Sequence, residues 1–367
     1  MGVNNRPNIF DYATKELSQD AMVCWLLKCC HSESERYKNI GYDFVRFILG
    51  DDYAAETDIE LEKNSPYAQY YHMDVYANVR VGDKIIPIIF EDKTNTFLHG
   101  SQEKRYTDMV NGWKNDKKWT NELFDNDKLK WSENTWYVFF KTGYVFNWQK
   151  DEIERIKAGI NAKVKTVFMD DMIEFVSMYK NDDALLCDYY EYLLKQKEWN
   201  LTGNACKCDG YYKKIFGGNV WFEYSYQQWG SKNFAYIDAE KEVNRIYFTI
   251  RTGWKKDKDK YSYYIGFMQY RNEKKLYGNQ LRKEELLNQR YIITNEIKDI
   301  SKKIAEKLGR TIKIENNTKN RMPDQNFIFR ESVDENNEND VCEFFGKFIN
   351  EFNAAVTEKY KTQYIIY

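Results

Sequence analysis

Lys84-Ile85-Ile86-Pro87-Ile88-Ile89-Phe90-Glu91-Asp92-Lys93 is the stretch on which the fold turns. Its short apolar middle, bounded by charges, reads as a buried strand. Successive side chains of a strand alternate between faces, so Glu91 and Lys93 share one face and Asp92 points away. An apolar strand that ends in two acids and a lysine carries charge to the rim of a sheet. Just upstream, Gly82-Asp83 suits a tight hairpin turn, and residues 70–81 supply the partner strand. Folding back at that turn brings Asp74 beside Glu91. Two carboxylates at one point repel unless a cation joins them. Hard oxygen ligands of this kind suit Mg²⁺ or Mn²⁺.

Working outward, residues 56–62 read as a further strand. A helix starts near Thr14 or Ser18, both good N-caps, with Leu17, Ala21, Cys24 and Trp25 at i, i+4, i+7 and i+8 as its buried stripe. A short helix follows over 42–49. Downstream, a helix over 100–119 carries Gln102 and Tyr106 four residues apart, hence on one face. Then come an apolar strand at 135–141, a helix and strand at 151–157 and 164–169, and helical segments over 170–198. The expected class is α/β, in the order helix, three strands, helix, strand, with additions.

These residues resemble the PD-(D/E)XK, or restriction-endonuclease-like, nuclease superfamily, whose core has that same order. The motif reads His72-Met73-Asp74, then Glu91-Asp92-Lys93, with Met73 where the named motif has proline. Gln102-Glu103-Lys104-Arg105-Tyr106 matches the QxxxY motif of its RecB-like and lambda-exonuclease-like branches. Thr14-Lys15-Glu16-Leu17-Ser18-Gln19-Asp20 resembles the start of a bacterial subfamily in which an early-helix glutamate joins the site. Many RecB-like enzymes have a histidine where Glu16 stands. The resemblance spans residues 8–180 and implies a Mg²⁺- or Mn²⁺-dependent nuclease, acting on DNA in prokaryotic defence or repair, with endo or exo action open. It implies Asp74, Glu91 and the Asp92 carbonyl as metal ligands, and Lys93 as the group that orients water or offsets charge on the phosphate. Glu16 would reach the metal through water or help to hold a second one. Gln102 and Tyr106 would position water or a strand phosphate. Without the resemblance, Glu91 and Lys93 read equally well as an exposed ion pair at a strand end.

Periodicity lapses over 199–209, which divides the chain into 1–199 and a smaller α+β domain, 200–367. There, strands are expected at 220–229, 245–252 and 261–270, and near 311–315 and 327–330. A long helix at 281–308 is stopped by Gly309, a polar loop covers 331–340, and a last helix runs over 341–360. Together they read as an antiparallel sheet with two helices. Aromatic residues, among them Tyr224, Trp229, Tyr247, Trp254, Tyr264 and Tyr270, alternate with Arg251, Lys255, Lys256 and Lys258, a mixture suited to phosphate contact and base stacking. It is equally suited to a sheet whose rings only pack on its helices. Charge is divided accordingly. Residues 1–199 carry −8 (26 basic, 34 acidic) and 200–367 carry +6 (29 basic, 23 acidic), with +11 over 241–321 (21 basic, 10 acidic). Such asymmetry points to a polyanion partner. Residues 200–367 are alternatively a seat for a protein partner or activator, and homo-oligomer formation is open.

The 367 residues, 43% apolar and 31% charged, suit a chain with a substantial core. No apolar run is long enough for a bilayer, and the first ten residues lack a secretory pattern. Seven cysteines without paired spacing fit reduced thiols, so the expectation is a cytoplasmic protein. Their spacing matches no iron–sulfur pattern, and His31, His72 and His99 are too scattered for a zinc site. His72, two residues before Asp74, is a candidate for the rim of the site. No Gly-rich loop is followed by Lys-Ser/Thr, which argues against ATP hydrolysis. The competing functional class is a catalytically silent nucleic-acid-binding or signalling module on the same fold.

Overall fold

The structure is a computed structural model that describes residues 7–12, 16–50, 53, 58–70, 73–94, 135–160, 162–225, 229–238, 245–258, 260–271, 280–316, 325–360 and 363–365. The chain divides into two compact units, Met1–Gly203 and Asn204–Tyr367. Among the described residues no helix is long and apolar enough to cross a membrane.

The first unit opens with helices α1 (Glu16–Lys28) and α2 (Glu35–Leu49). Strands β1 (Ile59–Leu61), β2 (Tyr67–Tyr70), β3 (Met73–Val81) and β4 (Lys84–Asp92) follow. Next come β5 (Trp136–Lys141), α3 (Asn147–Gly159), β6 (Lys163–Phe168), α4 (Met169–Ser177) and α5 (Ala184–Thr202). The sheet order is β1-β3-β4-β5-β6, with β2 on β3. The β1, β3 and β4 strands pair antiparallel, whereas β4, β5 and β6 are parallel. Gly82, at φ 55, makes the turn that pairs Val81 with Lys84. Glycine enters that left-handed region without a Cβ clash.

The alternation of β3, β4 and β5 feeds two apolar layers. Val75, Ala77, Val79, Ile86, Ile88, Phe90, Val138 and Phe140 pack with Leu26 and Leu27 of α1, Phe44 of α2, Phe175 of α4 and Tyr189 of α5. Tyr76, Ile89, Tyr137 and Phe139 pack with Ile153 and Ile156 of α3 on the other side. A sheet covered by helices on both faces explains why β4 and β5 are continuous apolar runs. The expected α/β class holds at this level.

The second unit contains α6 (Asn204–Phe216), β7 (Glu223–Ser225), β8 (Trp229–Asp238), β9 (Arg245–Asp257), β10 (Lys260–Arg271) and α7 (Gln280–Lys307). It ends with β11 (Gln325–Val333), α8 (Glu338–Tyr360) and β12 (Gln363–Ile365). The strands form an antiparallel sheet in the order β11-β10-β9-β8-β12, with β7 on β8. Phe344, Phe345, Phe348 and Phe352 of α8 meet Phe234, Phe248, Phe267 and Phe329 of the sheet, as in the 4.8 Å Phe267–Phe352 contact.

Several expectations are corrected. Residues 199–209 are helical on either side of Gly203, because α5 runs to Thr202 and Cys208, Tyr211, Tyr212 and Ile215 give α6 a buried stripe. The described helices of this unit number three, not two. Of the expected strand 220–229, Glu223–Ser225 form β7 and Trp229 opens β8, the rest of which goes unanticipated. A register shift between Asn233 and Ala235 breaks its alternation, and Gly230, Ser231 and Asn233 are poor strand formers. Residues 311–315 contribute one isolated bridge, Ile314 to Phe329. β11 runs on to Val333 and α8 begins at Glu338, so the loop expected at 331–340 is short. Gly309 ends α7 at φ 73, with Arg310 N–H donating to the Ala305 carbonyl at 2.8 Å.

Candidate functional site

Because β4 and β5 are parallel, the residues that follow them emerge at one edge of the sheet. The antiparallel β3 starts at that same edge, and Asp74 lies one position before the Val75–Phe90 pair. Asp74, Glu91 and Lys93 meet there. The Lys93 ammonium is 2.6 Å from Glu91 Oε1 and 3.5 Å from Asp74 Oδ2. It also donates to the Asp92 carbonyl at 2.9 Å. The Asp92 N–H donates to Asp74 Oδ2 at 2.8 Å, which fixes that carboxylate against β4. Glu91 is 1% exposed and Lys93 7%. The exposed strand-end pair is therefore the wrong description: this ion pair is buried. The Asp92 side chain leaves on the opposite face. There its charge adds to burial in holding the Tyr189 hydroxyl well above its ordinary pKa.

Two residues that sequence reasoning passed over complete the cluster. Gln69 Nε2 donates to Asp20 Oδ2 at 2.9 Å and reaches Asp74 Oδ1 at 3.4 Å, so one amide links an acid of α1 to the acid of β3. Gln69 is left-handed, at φ 51, a conformation that costs a residue with a Cβ about 1 kcal/mol. Asp20 is 3% exposed. Its charge adds to burial in pushing the Cys24 thiol up to about 11. Asp20 lies four residues after Glu16, on the same face of α1. That spacing was the one sequence signal that could have found it.

Gln19 ties the strand ends together. Its Nε2 donates to Thr94 Oγ1 at 2.7 Å and to Thr142 Oγ1. Buried Lys141 donates to the Thr94 carbonyl at 3.0 Å. Gly143 permits this closeness, since a Cβ there would fall 1.6 Å from the Thr94 carbonyl oxygen. The side chain of Glu16, although it opens α1, lies outside the described residues, as do His72, His99, Gln102 and Tyr106. His31 does not join the cluster, and its Nε2 lies 2.8 Å from the Leu61 carbonyl.

No family model matches the chain, and comparison with curated proteins and with solved structures finds no match. The site therefore stands on its own chemistry.

That chemistry fits a hard cation. Two carboxylates and a backbone carbonyl converge on the Lys93 ammonium, and all three donors are oxygen. Oxygen donors suit Mg²⁺ or Mn²⁺, whereas softer metals favour nitrogen and sulfur. Among the described residues no group of three or more His, Cys, Asp or Glu side chains is placed to hold a metal ion, so the carbonyl would be the third donor. All seven cysteines are free thiols. Burial is the main cause that pushes those of Cys29, Cys30, Cys208 and Cys342 up to about 12.

Proposed function

We propose that the first unit is a restriction-endonuclease-like, divalent-metal-dependent phosphodiesterase that acts on DNA. The observation that carries this is the meeting of Asp74, Glu91, Lys93 and the Asp92 carbonyl at one edge of a mixed sheet. The parallel β4–β5–β6 strands and the helices on both faces support the same reading.

Asp74, Glu91 and the Asp92 carbonyl would hold Mg²⁺ or Mn²⁺, which lowers the pKa of a bound water and polarises the scissile phosphate. The protein contributes position and charge. The Asp92 N–H and the Gln69 amide hold Asp74 in one orientation. Lys93, now spread over two carboxylates, would turn its ammonium to a non-bridging phosphate oxygen as charge grows there. Attack by water on phosphorus breaks the P–O bond to one sugar, and that sugar oxygen leaves with a proton. Asp20, held by Gln69, adds negative charge beside Asp74 and favours a divalent cation over a monovalent one.

The test is Mg²⁺- or Mn²⁺-dependent degradation of linear, circular and single-stranded DNA, with Glu91→Gln and Asp74→Asn purified alongside. Wild type cuts in the presence of the metal, and both variants lose at least about a hundredfold in rate. Loss of the circular substrate distinguishes endonuclease from exonuclease action. Metal-dependent cutting that survives in both variants would remove the site. A folded wild type that cuts no substrate under these conditions would favour the silent binding module.

A further inference from the structure

The antiparallel sheet of the second unit has two faces of different character. The helices lie against one of them. Tyr212 of α6 donates to the Ile250 carbonyl, Gln269 donates to Thr294 of α7, and the phenylalanines of α8 cover Phe248 and Phe267. Trp254, one of the aromatics suited by sequence either to stacking on bases or to packing on helices, is buried on this side with Phe248 and Ile250. The pairing register defines the other face. Trp229, Gly253 and Tyr264 form one row across β8, β9 and β10. Arg251, Gly266 and Arg330 form the next across β9, β10 and β11. Further along, Tyr236, Tyr247 and Tyr270 form a third.

Two glycines let this face lie flat. A Cβ on Gly253 would meet the Tyr264 ring at 2.2 Å, and one on Gly266 would meet the Phe327 ring and the Arg330 side chain at 2.6 and 2.8 Å. The neighbouring groups thus lie down over the glycines instead of standing up from the sheet. The Arg251 guanidinium sits 4.4 Å from the Trp229 ring centre, and that of Arg330 sits 4.7 Å from Phe327. The row of tyrosines is spaced at 5.8 and 6.1 Å. Trp229, Tyr247, Tyr264 and Tyr270 are half-buried, with part of each side chain at the surface.

We propose that this face binds single-stranded nucleic acid, with bases stacked on its rings and guanidinium planes. Every base has a π-face, and stacking on aromatics or arginine is the sequence-tolerant way to hold an unpaired strand. An apolar protein partner would be a poorer match to rings that carry hydroxyls and alternate with guanidinium groups. Arg251 and Arg330 on this face complement a phosphate backbone. Lys255, exposed, extends the same face beyond Gly253. Glu315 pairs with Arg330 and offsets part of its charge but leaves a planar group suited to stacking. The inference is independent of the cleavage reading, since binding is measured without turnover.

The experiment uses full-length Glu91→Gln protein in EDTA. Fluorescence anisotropy follows labelled oligothymidylate, oligouridylate and a DNA duplex over a series of salt concentrations. Single strands should bind more tightly than the duplex. Tyr247→Leu with Tyr270→Leu should weaken single-strand binding by about tenfold or more, whereas the paired Phe substitutions should retain it. Lys255→Gln with Arg330→Gln should flatten the dependence of log affinity on log salt by about 1.4. A thermal melt accompanies each variant, and the lysine and arginine pair decides the matter where the leucine pair unfolds. Similar affinity for thymidylate and uridylate assigns recognition to stacking and phosphate, and a preference for one names the natural strand. Failure to bind single strands, tighter binding to duplex, or an unchanged affinity and salt slope in folded variants would overturn the proposal.

Discussion

At the scale of the residue, the central fact is a lysine between two carboxylates in a place with almost no solvent. Lys93 is within 2.6 Å of Glu91, and removing its charge leaves that buried carboxylate beside Asp74 with a positive partner gone. Breaking a buried pair from one side generally costs more than the pair contributes, because the desolvated partner remains. Lys93→Met should therefore destabilise the metal-free protein by about 3 kcal/mol at neutral pH, measured by urea unfolding of the first unit. The double change Lys93→Met with Glu91→Leu should recover much of that loss, since the carboxylate that then remains is that of Asp74, partly exposed and held by the Asp92 N–H. A single-variant loss below about 1 kcal/mol would mean that the pair is solvated, as exposed pairs are. Gln69 shows the complementary effect. A strained backbone persists where surrounding contacts hold it, and here the contacts are the two acids that its amide joins.

At the scale of the element, the site depends on how the ends of β4 and β5 are pinned. Gln19 and Lys141 reach the residues just after these strands, and Gly143 leaves space for the Thr94 carbonyl. The atoms that the Cβ would meet all belong to the Thr94 backbone, so no side chain can swing away. Gly143→Ala should thus cost about 3 kcal/mol, seen as a lower urea midpoint with an unchanged slope. A variant as stable as the parent would show that the two loops separate freely. The β3–β4 hairpin was legible in the sequence because one apolar run, one Gly-Asp turn and strict alternation together specify which side chains share a face. The contribution of Gln69 was not legible, since its link passes through a left-handed residue that no local period encodes, and Asp20 was signalled only by its spacing of four from Glu16. Most of β8 was lost for a related reason: its register shift hides the alternation by which a strand is recognised. At residues 199–209 a glycine and cysteines marked the boundary between the units, while the lapse in periodicity hid that helices end and begin on either side of Gly203.

At the scale of the whole molecule, the division into 1–203 and 204–367 accompanies a division of charge and of core. The acidic half carries the carboxylate cluster; the basic half carries the aromatic sheet face. Each half has its own apolar centre, the first around β3, β4 and β5 and the second around the phenylalanines of α8 and its sheet. Separate cores imply separate unfolding. Phe348 of α8 tests this, because it is fully buried and meets Phe267 at 5.2 Å and Phe329 at 5.1 Å. Phe348→Ala should cost the second unit about 4 kcal/mol, a lost aromatic side chain plus the cavity left behind. Amide hydrogen exchange in rising urea should then show 204–367 losing protection at lower denaturant while 1–203 keeps the parent's profile. Simultaneous loss across both segments would mean that the chain unfolds as one cooperative body. With independent units, the Phe348 variant should still show the proposed Mg²⁺-dependent cutting of a short DNA under conditions where the first unit alone is folded, which would separate the proposed site of cleavage from the proposed strand-binding face.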